Sequence, residues 1–228
     1  MGILRLLLAV SALPFAAALV PLFVEVFRSL AASSGAALLA GGGGFAAFLA
    51  LWCLAPRSFV RIYVFGHELT HALWGVVFCA RVSNLKVSLS GGSVMLTKSN
   101  VLITLAPYFF PFYTVLVVAA ALVTRLFVSP LPWTGAWLFA VGFTWCLHVC
   151  FTLRALAQRQ PDVTEYGRLF SWVFIWLFNV LGVVLWTLAT TELSSAAVFA
   201  ALRSHVAAAY LAVWRFSVYC WSILPFNR

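Results

Sequence analysis

The 228 residues are 64% hydrophobic and only 8% charged, with a mean hydropathy of +1.07, whereas an ordinary soluble domain has about a quarter of its residues charged. So apolar a chain cannot cover a water-facing surface, which excludes a soluble globular domain and makes the lipid bilayer its solvent. The net charge of +9 would suit nucleic acid if it were clustered, but Arg28, Arg57, Arg81, Arg125, Arg154 and Arg168 stand singly near the ends of apolar runs. That distribution suits anchoring to anionic headgroups and argues against a nucleic-acid partner.

In chain order, runs of about 20 apolar residues predict membrane spans. The first covers about 3–27 and is broken only by Glu25. Arg5 and the run Ala16-Ala17-Ala18 imitate a signal peptide, but the apolar stretch is long enough to cross, and it reads as an uncleaved first span. The second covers about 36–55 and contains Gly41-Gly42-Gly43-Gly44, poor for helix but suited to close helix contact. A third runs from about 58 to 80, and after a polar stretch further spans follow at about 101–127, 134–157 and 169–190. The tail from Ser194 to Pro225 is interrupted by Arg203, His205 and Arg215 and reads equally as an interfacial helix or a seventh crossing. The five cysteines, Cys53, Cys79, Cys146, Cys150 and Cys220, fall in apolar segments without a CxxC pair and read as buried free thiols. The expected fold is an all-α polytopic membrane protein with about six transmembrane helices. It divides into two N-terminal spans (1–57), a core (58–190) and a C-terminal helix (191–228).

The polar stretch 81–100 alternates. Leu85, Val87 and Leu89 are interleaved with Lys86, Ser88 and Ser90, and Val94 and Leu96 follow Gly91-Gly92. Two such runs around a Gly-Gly turn predict a β-hairpin at about 82–98, between spans three and four. An open sheet edge is excluded from lipid unless protein or water covers it. Leu85, Val87, Leu89, Gly91 and Gly92 are therefore candidates for an edge that holds an extended peptide by strand addition. An ordinary surface hairpin is the competing reading.

The chemistry is concentrated in Gly66-His67-Glu68-Leu69-Thr70-His71-Ala72-Leu73. His67 and His71 are four apart and share one helix face, so both imidazoles can reach one metal ion. Glu68 lies about 100° round the helix from His67, within reach of a water on that ion. Zinc would acidify the water and polarise a carbonyl, and the glutamate would take the proton and return it to a leaving amine. With 4 His in the chain and as few glutamates, chance supplies this pattern on the order of 10⁻³ times. His67 also lies about 15 Å into its predicted span, where an ionisable group costs roughly 2.5–3.5 kcal/mol even on lenient scales. Three such groups at that depth call for a compensating partner.

A catalytic zinc takes three protein ligands and keeps one open position. The third ligand must come from few candidates: the sole aspartate Asp162, the glutamates Glu25, Glu165 and Glu192, and the histidines His148 and His205. Asp162 follows the helix-ending Pro161, on irregular backbone from which it can converge on the metal, and Glu165 is its competitor. His148, inside the fifth span, is a candidate for a supporting or substrate contact.

At these residues the chain resembles the site-2 protease family of zinc intramembrane metalloproteases. The resemblance covers about 60–180 and comprises the HExxH segment, the following Gly-Gly hairpin, Leu105-Ala106-Pro107 and an aspartate-to-glycine segment two spans beyond the histidines. It implies one zinc per chain held by His67, His71 and Asp162, with Glu68 as base. It also implies cleavage of transmembrane or membrane-proximal peptide segments aligned on the hairpin. The chain departs from the family in placing Gly167 five residues after Asp162 rather than next to it, and in having no PDZ-type sensor segment. Substrate selection would then fall to the bundle or to a regulatory membrane partner. The expected function is a metalloendopeptidase of a multi-pass integral membrane protein, with a bacterial cytoplasmic membrane favoured over a eukaryotic organelle. Two alternatives are a non-proteolytic zinc-binding scaffold, chaperone or metal-handling protein, and a transporter with histidines in an ion path; the latter leaves the HExxH spacing without a reason.

Overall fold

With no water in reach, a backbone satisfies its own polar groups most simply as helix, and helix dominates this chain. The computed structural model describes residues 2–89, 91–128, 133–190 and 193–223. Its elements are α1 (Ile3–Ser33), α2 (Gly35–Leu54), α3 (Val60–Val77), β1 (Val82–Val87), β2 (Gly92–Leu96), α4 (Val101–Phe109), α5 (Phe112–Phe127), α6 (Thr134–Ala157), α7 (Pro161–Glu165), α8 (Arg168–Thr190) and α9 (Ser195–Ile223). Glu192 and the tail beyond Ile223 lie outside the described residues.

Among the described residues α1, α2, α6, α8 and α9 are each long and apolar enough to cross a membrane, and α4 with α5 makes a sixth if the bent pair counts as one. This is compatible with a multi-pass membrane protein, but the set differs from the expected one. The predicted third span does not qualify: α3 is 18 residues long and carries Arg61, His67, Glu68 and His71 in that length. The ambiguous tail does qualify, as one continuous helix, because Arg203, His205 and Arg215 are diluted over 29 residues. The predicted span at 101–127 is broken, with α4 and α5 at 75°. Phe110 takes an extended conformation (φ −101°, ψ 104°) immediately before Pro111, as steric conflict with a following proline ring demands. Of the cysteines, only Cys146 is fully buried, while Cys53 and Cys79 are exposed on the protein surface.

The chain forms two compact units that cut across the expected order, one of residues 34–166 and one of 1–33 with 167–228. In the second unit α1 packs against α8 and α9, with Leu19, Leu22, Val26, Val180 and Val184 as its buried core. Glu25 of α1 pairs with His205 of α9 at 2.9 Å, and the Tyr210 hydroxyl donates to the Ser11 carbonyl at 2.8 Å. Ionisable groups within apolar helices are expected to find each other in this way.

In unit 34–166, α2 and α6 lie in backbone contact. A Cβ at Gly44 would strike the Phe139 carbonyl, and one at Gly142 would strike that of Gly41, so the predicted close helix contact is present. Phe48 packs beside Phe59 and Phe143, and Trp52 meets Phe151 edge-on. Phe151 in turn stacks flat on Tyr63 of α3 at 4.2 Å, which seats α3 against this aromatic core.

The hairpin forms as an antiparallel pair, but its turn is not Gly91-Gly92. The Ser88 N–H and hydroxyl both donate to the Gly91 carbonyl, at 2.9 and 2.7 Å. Leu89 therefore sits in the turn rather than on a strand, and Gly92 opens β2. Gly91 has φ +143°, a conformation that favours glycine. The ladder shifts register between Ser83 and Lys86, where Asn84 has φ +51°, a bulge that bends β1.

Gly142→Val should lower the melting temperature of the detergent-purified protein, by an overpacking cost of about 1–3 kcal/mol. Gly42→Ala, which meets nothing within 4 Å, should hold or slightly raise it in the same thermal assay, because alanine suits a helix better than glycine.

Candidate metal centre

Helical spacing places His67 and His71 one turn apart on α3, with ring centroids 4.8 Å apart. The third group arrives from α7. Pro161 occupies the first turn of this short helix, where its missing N–H costs nothing, and Asp162 follows it. Asp162 Oδ2 stands 3.7 Å from His67 Nε2 and 3.6 Å from His71 Nε2. The three ligand atoms lie within 4.8 Å of one another, and this is the sole such grouping found among the described residues. Between the two carboxylates left open by the sequence, Asp162 joins the histidines, while Glu165 lines the adjoining cavity.

Each of the three groups has a second partner. The Tyr63 hydroxyl meets His67 Nδ1 at 3.1 Å. His71 Nδ1 lies 2.9 Å from the Ile103 carbonyl, which can only accept, so Nδ1 carries the hydrogen. A neutral His71 then presents a lone pair at Nε2 towards the Asp162 carboxylate. The Tyr108 hydroxyl donates to Asp162 Oδ2 at 2.9 Å. Burial alone would raise the Asp162 pKa, but the two imidazoles and the Tyr108 hydroxyl outweigh it and hold the carboxyl below its usual range.

Two imidazoles and a carboxylate form a donor set that fits a divalent ion of the zinc class. Nδ1 partners that leave both Nε2 atoms facing inward are the usual outer support of such a site. The three groups therefore fit a metal. They border a cavity of about 610 Å³ shared with Tyr63, Glu68, Gly92, Val94, Leu96 and Glu165. Glu68 is 7% exposed and packs directly on the hairpin: a Cβ at Gly92 would come within 2.6 Å of Glu68 Cγ and 2.7 Å of Val64 Cγ1. Leu96 makes the corresponding approach to Gly75. Gly92 and Gly75 are thus what let the sheet lie flat on α3.

The hairpin strand beside the cavity is β2, not β1. Gly91 through Val94 and Leu96 line it. Leu85, Val87 and Leu89 do not, and they are exposed elsewhere on the protein surface. His148 is buried but away from the main cavity. It borders a small space of about 20 Å³ with Tyr63, His67, Thr70 and Thr144, room for about one water molecule.

Sequence reasoning missed Tyr63, Ile103 and Tyr108. Tyr63 was within reach, since it precedes His67 by one turn on the same face. The other two lie on α4, and no spacing rule links them to α3 or α7. Searches of family models, of curated proteins and of solved structures returned no match to the chain.

Asp162→Ala and His71→Ala should each lower the zinc bound per chain, measured by elemental analysis after dialysis. Glu165→Gln should retain the wild-type content.

Proposed function

We propose that this protein is a zinc-dependent endopeptidase acting on membrane-embedded or membrane-proximal segments, a divergent relative of the site-2 protease family. The observation that carries this reading is the convergence of His67 Nε2, His71 Nε2 and Asp162 Oδ2 within 4.8 Å, beside a cavity that also contains Glu68. His67, His71 and Asp162 hold the ion. Zinc so held supplies Lewis acidity, which acidifies water and polarises a peptide carbonyl.

The remaining steps belong to the chain's own residues. Glu68 projects from the same helix as the two histidines and can accept a proton in the cavity and deliver it to the departing amine. Its packing against Gly92 restricts its rotamers, so little freedom is lost as the proton moves. A purely structural zinc site has no use for such a base, and this weighs against the scaffold reading. β2 pairs with β1 along one side only, and its residues border the cavity. A substrate made extended near the scissile bond would add to β2 as a further strand, with main-chain hydrogen bonds setting its depth. The localisation that goes with this reading is a multi-pass protein of a cellular membrane, that of the bacterial cytoplasm before an organelle.

Glu68→Gln should retain zinc while cleavage of a labelled transmembrane peptide falls by about 10²–10⁴-fold, the usual share of general acid–base catalysis. Turnover at the wild-type rate by that variant would remove the mechanism. Zinc bound by the wild type without cleavage of any membrane peptide would favour the scaffold. Gly92→Val, which forces Glu68 and Val64 aside, should slow cleavage while leaving zinc content unchanged.

A further inference from the structure

Ile103 and Tyr108, the outer partners of His71 and Asp162, both belong to α4, a helix of nine residues. Both are fully buried. The Ile103 carbonyl is free for His71 for a specific reason. In a regular helix it would accept the N–H of residue 107, and residue 107 is a proline, which has none. Pro107 thus leaves the Ile103 carbonyl open to His71 Nδ1 at 2.9 Å. The next residue, Tyr108, sends its hydroxyl to Asp162 Oδ2 at 2.9 Å and sets its ring edge against His67. An ionised carboxylate oxygen has more than one acceptor position, so the bond from Tyr108 leaves Oδ2 able to serve as a ligand.

Neither end of α4 is loose. Asn100 caps its start, with the side chain accepting from the Ile103 N–H at 2.9 Å, and the extended Phe110 before Pro111 ends it. The cap bond and the His71 bond engage the same residue, Ile103, through its N–H and its carbonyl.

We propose that α4 is an outer bracket of the metal centre, with Pro107 and Tyr108 as positioning residues. Pro107 frees the carbonyl that orients the His71 imidazole, and Tyr108 fixes the Asp162 carboxylate. The bracket rests on the reading of His67, His71 and Asp162 as metal ligands. It adds that a ligand from α3 and one from α7 are held in register by a third element that contributes no ligand. Outer partners of this kind are typically worth about 10–100-fold in metal affinity.

The test is Zn²⁺ affinity of the detergent-purified full chain by competition with a chromophoric chelator, together with the visible spectrum of the Co²⁺-loaded protein. The chains compared are wild type, Tyr108→Phe, Pro107→Ala, Asp162→Ala and the Tyr108→Phe/Asp162→Ala double variant. Tyr108→Phe should weaken Zn²⁺ binding by about 10–100-fold and alter the Co²⁺ spectrum. Pro107→Ala, which supplies an N–H to compete for the Ile103 carbonyl, should weaken binding by a smaller factor. Its metal-free melting temperature should hold or rise, because alanine suits a helix better than proline. In the Asp162→Ala background Tyr108→Phe should add no further loss.

Wild-type affinity and Co²⁺ spectrum in both single variants, with Asp162→Ala still impaired, would overturn the bracket and leave the metal centre standing. An undiminished loss from Tyr108→Phe in the Asp162→Ala background would also overturn it, since Tyr108 would then act by another route. Absence of metal binding by the wild type would sink the metal-centre reading and the bracket with it. Should Tyr108→Phe fail to fold, the Pro107→Ala result decides, together with the infrared carboxylate band of ¹³C-labelled aspartate. The chain has one aspartate, so that band reports Asp162 alone; a frequency typical of a carboxylate without a phenol donor would count against Tyr108.

Discussion

Three electron-pair donors facing one another beside a cavity constrain the rest of unit 34–166. His71 is committed through its Nδ1–H to the Ile103 carbonyl, so its Nε2 lone pair points at a carboxylate that carries its own negative charge. Left neutral, that arrangement is repulsive. A proton on one imidazole would relieve one contact, whereas a divalent ion would relieve both at once. The elements around the site follow from keeping these donors together. α3 rests on an aromatic core through Tyr63 and Phe151, α7 delivers Asp162 from just behind a proline, and α4 reaches both from the side.

The same economy explains the irregular parts. Non-helical backbone in an apolar chain survives only where protein or water satisfies it, and here part of it, in β2 and around Gln160, borders the cavity. The hairpin lies on α3 because Gly75 and Gly92 remove the side chains that would hold it away. The break between α4 and α5 occurs where Phe110 precedes Pro111, and it turns α4 by 75° from its successor. A sequence that reads as one long span is thus two helices.

Unit 1–33 with 167–228 carries none of this chemistry among its described residues. Its apolar helices α1, α8 and α9 bury a small aliphatic core and leave most of their large side chains exposed on the protein surface, as suits contact with acyl chains. The Glu25–His205 pair joins α1 to α9 across the sequence.

The amino-acid sequence by itself determined the strongly apolar character, the helical class, the presence of a hairpin and the His67–Glu68–His71 face, because each depends on composition or on periodicity within a few residues. It left Asp162 and Glu165 as the carboxylates best placed to join the two histidines, since acidic residues are so scarce. Tertiary structure decided what depends on distant segments meeting: that Asp162 rather than Glu165 turns towards the histidines, that β2 rather than β1 borders the cavity, and that α9 runs unbroken while α3, at 18 residues, is too polar to qualify as a span. Ile103 and Tyr108 belong to the same class. A backbone carbonyl has no signature in sequence, and a tyrosine among apolar residues looks like core until the fold brings an aspartate 54 positions away to its hydroxyl. Local spacing is set by helix geometry and can be read directly; convergence is set by packing, and packing is decided only when all the surfaces are present.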